Sequence, residues 1–253
     1  MDQVDAQSQG FPPNEHIQRF DGQNWRTFDI QGGYVVITAE GEKLAHKRPD
    51  ILNSLRKYKL EAKQNIGPDQ ATTRIYFKSG GNADVYTILQ KGVVVKENSA
   101  SSGYSLWSSL DRMDYLHSIC EDKMPDHIRV PKHYGVIMSR DLKKQYLIME
   151  QINAGLNVAD ILNPDIDSHL QVEIMNYFKL AGYNNMSYSE MKRFVKNAYD
   201  DAKEKLDKAI TKAYEDGKLP YDQLLTDWAE GNVIVDFDRP TEDLPFTLWV
   251  IDQ

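Results

Sequence analysis

Short apolar blocks separated by glycine turns dominate the first part of the chain. Trp25, Phe28 and Ile30 precede Gly32-Gly33, and Tyr34-Val35-Val36-Ile37 follow, which predicts a hairpin over Trp25 to Thr38. Pro49 to Ala62 carries Ile51, Leu52, Leu55 and Tyr58 at helical spacing, with the proline suited to the first turn. Asn65 to Gln70, with Gly67-Pro68, punctuates the chain as a linker. Ile75 to Leu89 places apolar runs on either side of Ser79-Gly80-Gly81-Asn82, a strand, turn and strand, and Gly92 is followed by Val93-Val94-Val95-Lys96. Leu106, Leu110, Met113, Leu116 and Ile119 then share one helix face. His127 to Met138 and Gln145 to Ile152 predict two paired strands joined by a polar hairpin from Ser139 to Lys144.

Beyond Gly155 the periodicity becomes helical. Val158 to Leu162 is a short segment, and His169 to Leu180 shows a stripe of Val172, Ile174, Met175 and Phe178. Ser187-Tyr188-Ser189-Glu190 matches a capping box, and the apolar face from Met191 to Ala213 runs on to a stop at Gly217. Two apolar strands follow, Val233 to Val235 and Trp249 to Ile251.

Composition narrows the class. At 253 residues, with 41% hydrophobic and 27% charged, the chain can bury a core like an ordinary globular protein. A formal charge of −8 argues against nucleic-acid binding over a broad basic surface. The single cysteine, Cys120, excludes an intrachain disulfide and points to a reducing, cytoplasmic compartment. No apolar run is long enough to cross a membrane, and Met1 to Glu15 is polar, unlike a secretory signal, and reads as a disordered tail. One local departure stands out: Lys43 to Lys63 holds seven basic residues against two acids, a basic helix that could dock an acidic partner or nucleic acid, or simply be a solvated face.

The candidate chemistry lies at four places. Asp227 and Asn232 form an Asp-x4-Asn segment that runs into a strand, and Asp252 ends the next strand. A phosphotransferase needs one carboxylate to orient a hydroxyl, and an amide oxygen with a second carboxylate to hold Mg²⁺. Lys96 ends a β-branched run, and the Gly80-Gly81 turn would let backbone N–H groups approach the same phosphates. In this order the segments resemble the protein-kinase-like superfamily over about residues 72 to 253. Ser79 to Tyr86 is most similar to the glycine loop of RIO-type atypical kinases. Asp227 to Val235 is similar to the catalytic segment of RIO and aminoglycoside-phosphotransferase-like enzymes.

The resemblance implies an α+β, bilobal protein-kinase-like fold with an antiparallel β-sheet N-lobe and a compact helical C-lobe. The expected organisation is a tail (1–15), an N-terminal hairpin-helix extension (16–71), an N-lobe (72–152) and a minimal C-lobe (153–253). It implies an ATP- and Mg²⁺-dependent phosphotransferase. Ser79, Gly80, Gly81, Asn82, Val85 and Lys96 would meet the nucleotide, the backbone from Glu150 to Ile152 would contact adenine, Asn232 and Asp252 would ligate Mg²⁺, and Asp227 would orient the acceptor hydroxyl.

This sequence departs from the pattern in places. Leu225 stands two before Asp227, where the family usually has histidine, and no glycine follows Asp252. The helix after Lys96 offers Asp111 or Asp114 in place of the glutamate that pairs with the strand lysine. A pseudokinase acting as a binding or scaffold module is therefore the competing class. A small-molecule kinase is a third reading, and a protein substrate is preferred because no acidic cluster follows Asp252.

Overall fold

The computed structural model describes residues 3–4, 15–20, 23–60, 74–79, 82–98, 116–121, 124–140, 145–152, 155–217 and 229–251. It is α+β and divides into two compact units, Met1–Leu110 with Lys132–Gln151, and Asp111–Pro131 with Ile152–Gln253. No helix among the described residues is long and apolar enough to cross a membrane.

The first unit is built on strands β1 (Gln3–Val4), β2 (Glu15–Phe20), β3 (Gln23–Ile30), β4 (Gly33–Ile37), β5 (Arg74–Ser79), β6 (Asn82–Gln90), β7 (Val93–Asn98), β9 (His133–Ser139) and β10 (Gln145–Glu150). They form one antiparallel sheet in the order β1-β2-β3-β4-β9-β10-β7-β6-β5. The β3–β4 turn falls on Gln31 and Gly32, with Gly32 at φ 88°, a conformation glycine adopts without strain. β4 pairs directly with β9, from Gly33 opposite Ser139 to Ile37 opposite Gly135. The segment expected as an extension over 16–71 is therefore continuous with the sheet that was expected to begin at residue 72. Gln3–Val4 also join it, inside the stretch expected as a tail.

Strand alternation divides this sheet into two apolar faces. Phe28, Ile30, Val35, Ile37, Val93, Val95, Ile137 and Ile148 pack with Ile51 and Leu55 of the helical layer. Val36, Val136 and Met138 lie on the other face, as do Val94 and Met149. Burial on both faces explains why Val93-Val94-Val95 is a continuous apolar run rather than an alternating one.

The helical layer comprises two helices, Ala39–Lys47 and Pro49–Arg56, where a single helix from Pro49 to Ala62 was expected. Pro49 does occupy the first turn, but the second helix stops at Arg56, and Lys59 instead bridges to Gln31 beside the hairpin turn. Thr38 caps the first helix by accepting from the Gly41 N–H (3.1 Å). Its hydroxyl donates to the His133 carbonyl (2.8 Å), and its N–H donates to the Tyr134 carbonyl (3.1 Å).

The second unit contains β8 (Ile128–Arg129), β11 (Leu156–Asn157), β12 (Val233–Asp236) and β13 (Thr247–Val250), ordered β11-β12-β13-β8, with β13 and β8 parallel. The expected single strand from His127 to Met138 is thus two. β8 pairs with β13 and β9 with β10, and the chain changes sheets across Val130 to Lys132, where Pro131 has no N–H for a ladder.

Helices Val158–Leu162, Ser168–Leu180 and Tyr188–Glu215 supply the remaining layer. The longest begins at a capping box in which Ser187 and Glu190 each satisfy the other's backbone N–H. Its residues Met191, Val195, Ala198, Ala202, Leu206, Ile210 and Ala213 form one buried face against Val233, Val235, Leu248 and Val250. Phe178 sits at the centre of an edge-to-face aromatic group with Tyr183, Phe194, Phe237 and Phe246.

Of the helix expected between Leu106 and Ile119, only residues 116–121 are described. Leu116, Ile119 and Cys120 enter the second unit's core, which corrects their expected place in the N-lobe. Burial pushes the Cys120 thiol up to about 12, so it stays protonated and inert.

Candidate functional site

β5 and β6 pair with Ser79 opposite Asn82, and Val85 lies opposite Tyr76. Gly80 and Gly81, the centre of the expected phosphate loop, lie outside the described residues.

Lys96 is on β7, between Tyr86 of β6 and Leu147 of β10. Paired strands on both sides hold its backbone. Alternation puts it on the Val94 face, opposite the helical layer that receives Val93 and Val95. Its residue surface is 6% exposed, unusual for a lysine. Asp111 and Asp114, its expected partners, lie outside the described residues.

The end of β10 is tied into the first unit. The Glu150 N–H donates to the Lys132 carbonyl (2.8 Å), and the Glu150 carboxylate accepts from the Lys132 N–H (3.4 Å). The Gln151 N–H donates to the Gly92 carbonyl (3.0 Å), and its side-chain oxygen accepts from the Gly92 N–H (3.0 Å). Within the backbone expected to contact adenine, the N–H groups of Glu150 and Gln151 are thus already bound within the protein. Ile152 belongs to the second unit, where it packs with Ile234, Trp249 and Ile251.

In the second unit, Asn232 ends a 3₁₀ turn, Glu230–Asn232, whose closing N–H donates to the Ala229 carbonyl (2.8 Å). β12 and β13 then pair antiparallel from Val233 opposite Val250 to Asp236 opposite Thr247. One further bond extends this ladder: the Ile251 N–H donates to the Asn232 carbonyl (2.8 Å). Asn232 and the strand end that leads into residue 252 are brought to the same end of one hairpin. On one face this hairpin gives Val233, Val235, Leu248 and Val250 to the helical core, and on the other it presents Ile234, Trp249 and Ile251. Asp227 and Asp252 themselves lie outside the described residues. Among the described residues, no group of three or more His, Cys, Asp or Glu is placed to hold a metal ion.

At the other end of the hairpin stands a residue that the sequence reading passed over. Asp236 is fully buried. Its carboxylate accepts from the Trp249 indole N–H (3.1 Å) and the Asp238 N–H (3.0 Å), with the Arg239 guanidinium 3.8 Å away. Arg239 in turn lies over the Trp249 ring, 5.0 Å from its centroid. Burial raises the Asp236 carboxyl above the usual carboxylate range, and these donors and the guanidinium offset only part of that. The available signal was a charge closing the apolar run Val233-Ile234-Val235, which in sequence is indistinguishable from an exposed strand end.

Comparison with protein-family models, with characterised proteins and with solved structures finds no match to this chain.

Proposed function

We propose that the chain is an atypical, protein-kinase-like phosphotransferase that moves the γ-phosphate of ATP to a hydroxyl acceptor, with a protein as the preferred substrate. The observation that carries this reading is the Asn232–Ile251 bond beyond the β12–β13 register. The reading needs an amide and a carboxylate beside one another at one hairpin end, and that bond brings together the backbone positions leading to both. The buried Lys96 on an interior strand agrees with a fixed cation that offsets phosphate charge.

Mg²⁺ in this role takes one or two protein oxygens and completes its octahedron with phosphate and water, so Asn232 and Asp252 suffice by their chemistry. Bound there, the ion would neutralise charge on the transferring phosphoryl group. Asp227 would orient the acceptor hydroxyl, and Lys96 would hold the phosphates; positioning and charge account for the rate.

The test is ATP binding by calorimetry with and without Mg²⁺, on wild type, Lys96→Ala and Asp252→Ala, followed by γ-phosphate transfer in the same samples. Binding that requires Mg²⁺ in wild type and is lost in Asp252→Ala, together with transfer, supports the reading. Binding without any transfer identifies a pseudokinase, and no nucleotide binding at all removes the proposal. Asp227→Ala should abolish transfer while leaving nucleotide binding intact.

A further inference from the structure

The Pro49–Arg56 helix packs on its sheet. Ile51 and Leu55 are buried beneath it, and the Gln90 side-chain amide donates to the Ser54 hydroxyl (2.8 Å). Its acidic surroundings already have partners. Asp50 accepts two bonds from Arg48 (2.7 and 3.2 Å), Glu42 pairs with Arg26 (3.0 Å), and Glu40 pairs with Lys43. Arg56 donates to the Asn53 side chain (3.3 Å). Lys47, Lys57, Lys59 and Lys91 are exposed and form no ion pair among the described residues.

These four lysines stand at two places. Arg48 donates to the Lys91 carbonyl (3.0 Å), which draws the β6–β7 turn to the start of the helix, beside Lys47. Lys57 caps the other end, and Lys59 follows it. Eight helical residues span about 12 Å. An extended chain covers that distance in about four residues. The helices pack on the Val93 and Val95 face, opposite Lys96, so this surface is separate from the candidate phosphate lysine.

We propose that this bracket of lysines docks a short acidic segment of a partner protein, with carboxylates about four residues apart in extended conformation. The proposal rests on charge and packing and does not depend on phosphotransfer. A protein segment fits better than nucleic acid for two reasons. The chain as a whole carries −8, which repels a long polyanion. The exposed lysines are also grouped at the two ends of the helix, with Asp50 in its first turn already bound to Arg48, which suits a segment with carboxylates at its ends better than a continuous phosphate track. Lysine heads on long stems meet single carboxylates without the geometric demand of a bidentate arginine.

The experiment is fluorescence anisotropy of a fluorescein-labelled glutamate–serine peptide against the full chain, at low and high salt. Lys57→Glu with Lys59→Glu is one variant, and Lys47→Glu with Lys91→Glu is a second on the opposite end. Lys205→Glu with Lys208→Glu changes net charge equally on the long helix of the second unit, and circular dichroism checks each variant's folding. The expected result is salt-sensitive binding, weakened about tenfold by either of the first two variants and little changed by the third. Equal weakening in all three, no binding to wild type, or tighter binding of a single-stranded oligonucleotide overturns the proposal.

Discussion

Gly41→Ala separates tertiary seating from helix propensity, because the two demand opposite signs. Gly41 is in the first turn of the Ala39–Lys47 helix, where its Cα lies against β9. A Cβ there would meet the Tyr134 carbonyl oxygen at 1.9 Å and the Ile37 Cγ2 at 2.5 Å. The first obstacle is backbone, and the second is a side chain that is 2% exposed, so neither can swing away. The helix start must therefore retreat by more than about 1 Å, which strains the two bonds from Thr38 to His133 and Tyr134. Those bonds contribute about 0.5–1.5 kcal/mol each, the steric readjustment costs about 1–3 kcal/mol, and alanine returns about 1 kcal/mol of helix propensity. The net expectation is a destabilisation of about 1–5 kcal/mol. Urea unfolding followed by circular dichroism measures it, and hydrogen exchange over 39–47 localises it. A variant as stable as wild type, or more so, would show that propensity governs and that the helix is not seated on Tyr134.

Three further outcomes follow from buried groups. Trp249→Phe removes a donor to the buried Asp236 carboxylate and should lower stability by about 1–3 kcal/mol beyond the loss of ring area; thermal unfolding of Trp249→Phe beside Trp249→Phe/Asp236→Asn would show no such excess if the indole bond contributes nothing. Because burial raises the Asp236 carboxyl, the folded state binds a proton more tightly than the unfolded chain. Wild type should therefore lose stability relative to Asp236→Asn as pH rises from the ordinary aspartate value through the raised one, and parallel pH profiles would contradict this. His127 is buried, and burial, with Lys205 nearby, holds its pKa below the usual histidine value. Its contribution is present above about pH 6.5 and is lost as pH falls towards the lowered value, so the stability loss on acidification should be smaller in His127→Gln; an unchanged acid limb refutes it.

Local patterns were legible where one face of an element meets one core. The Ser187–Glu190 capping box and the stripe from Met191 to Ala213 can be read directly, because a long amphipathic helix repeats its signal over many turns. The β3–β4 turn was legible from Gly32-Gly33, displaced by one residue. The break within Lys43 to Lys63 was harder to see. Two short helices meeting at Arg48–Pro49 share a basic surface, and after Arg56 the chain leaves the helix and pairs Lys59 with Gln31, a contact distant in sequence.

The sequence by itself determined the order of Gly80-Gly81, Lys96, Asp227, Asn232 and Asp252, from which the expectation of phosphotransfer was read, because that order is a property of the chain. Tertiary structure alone decided which strands share a sheet. β4 with β9 merges the expected extension into the first unit, and Leu116 and Ile128 belong to the second unit although the chain on either side of Asp111–Pro131 belongs to the first. The physical reason is that pairing partners and buried charge are set by residues far away in sequence. Asp236 reads as an exposed strand end until Trp249, thirteen residues on, supplies the indole N–H that permits its burial.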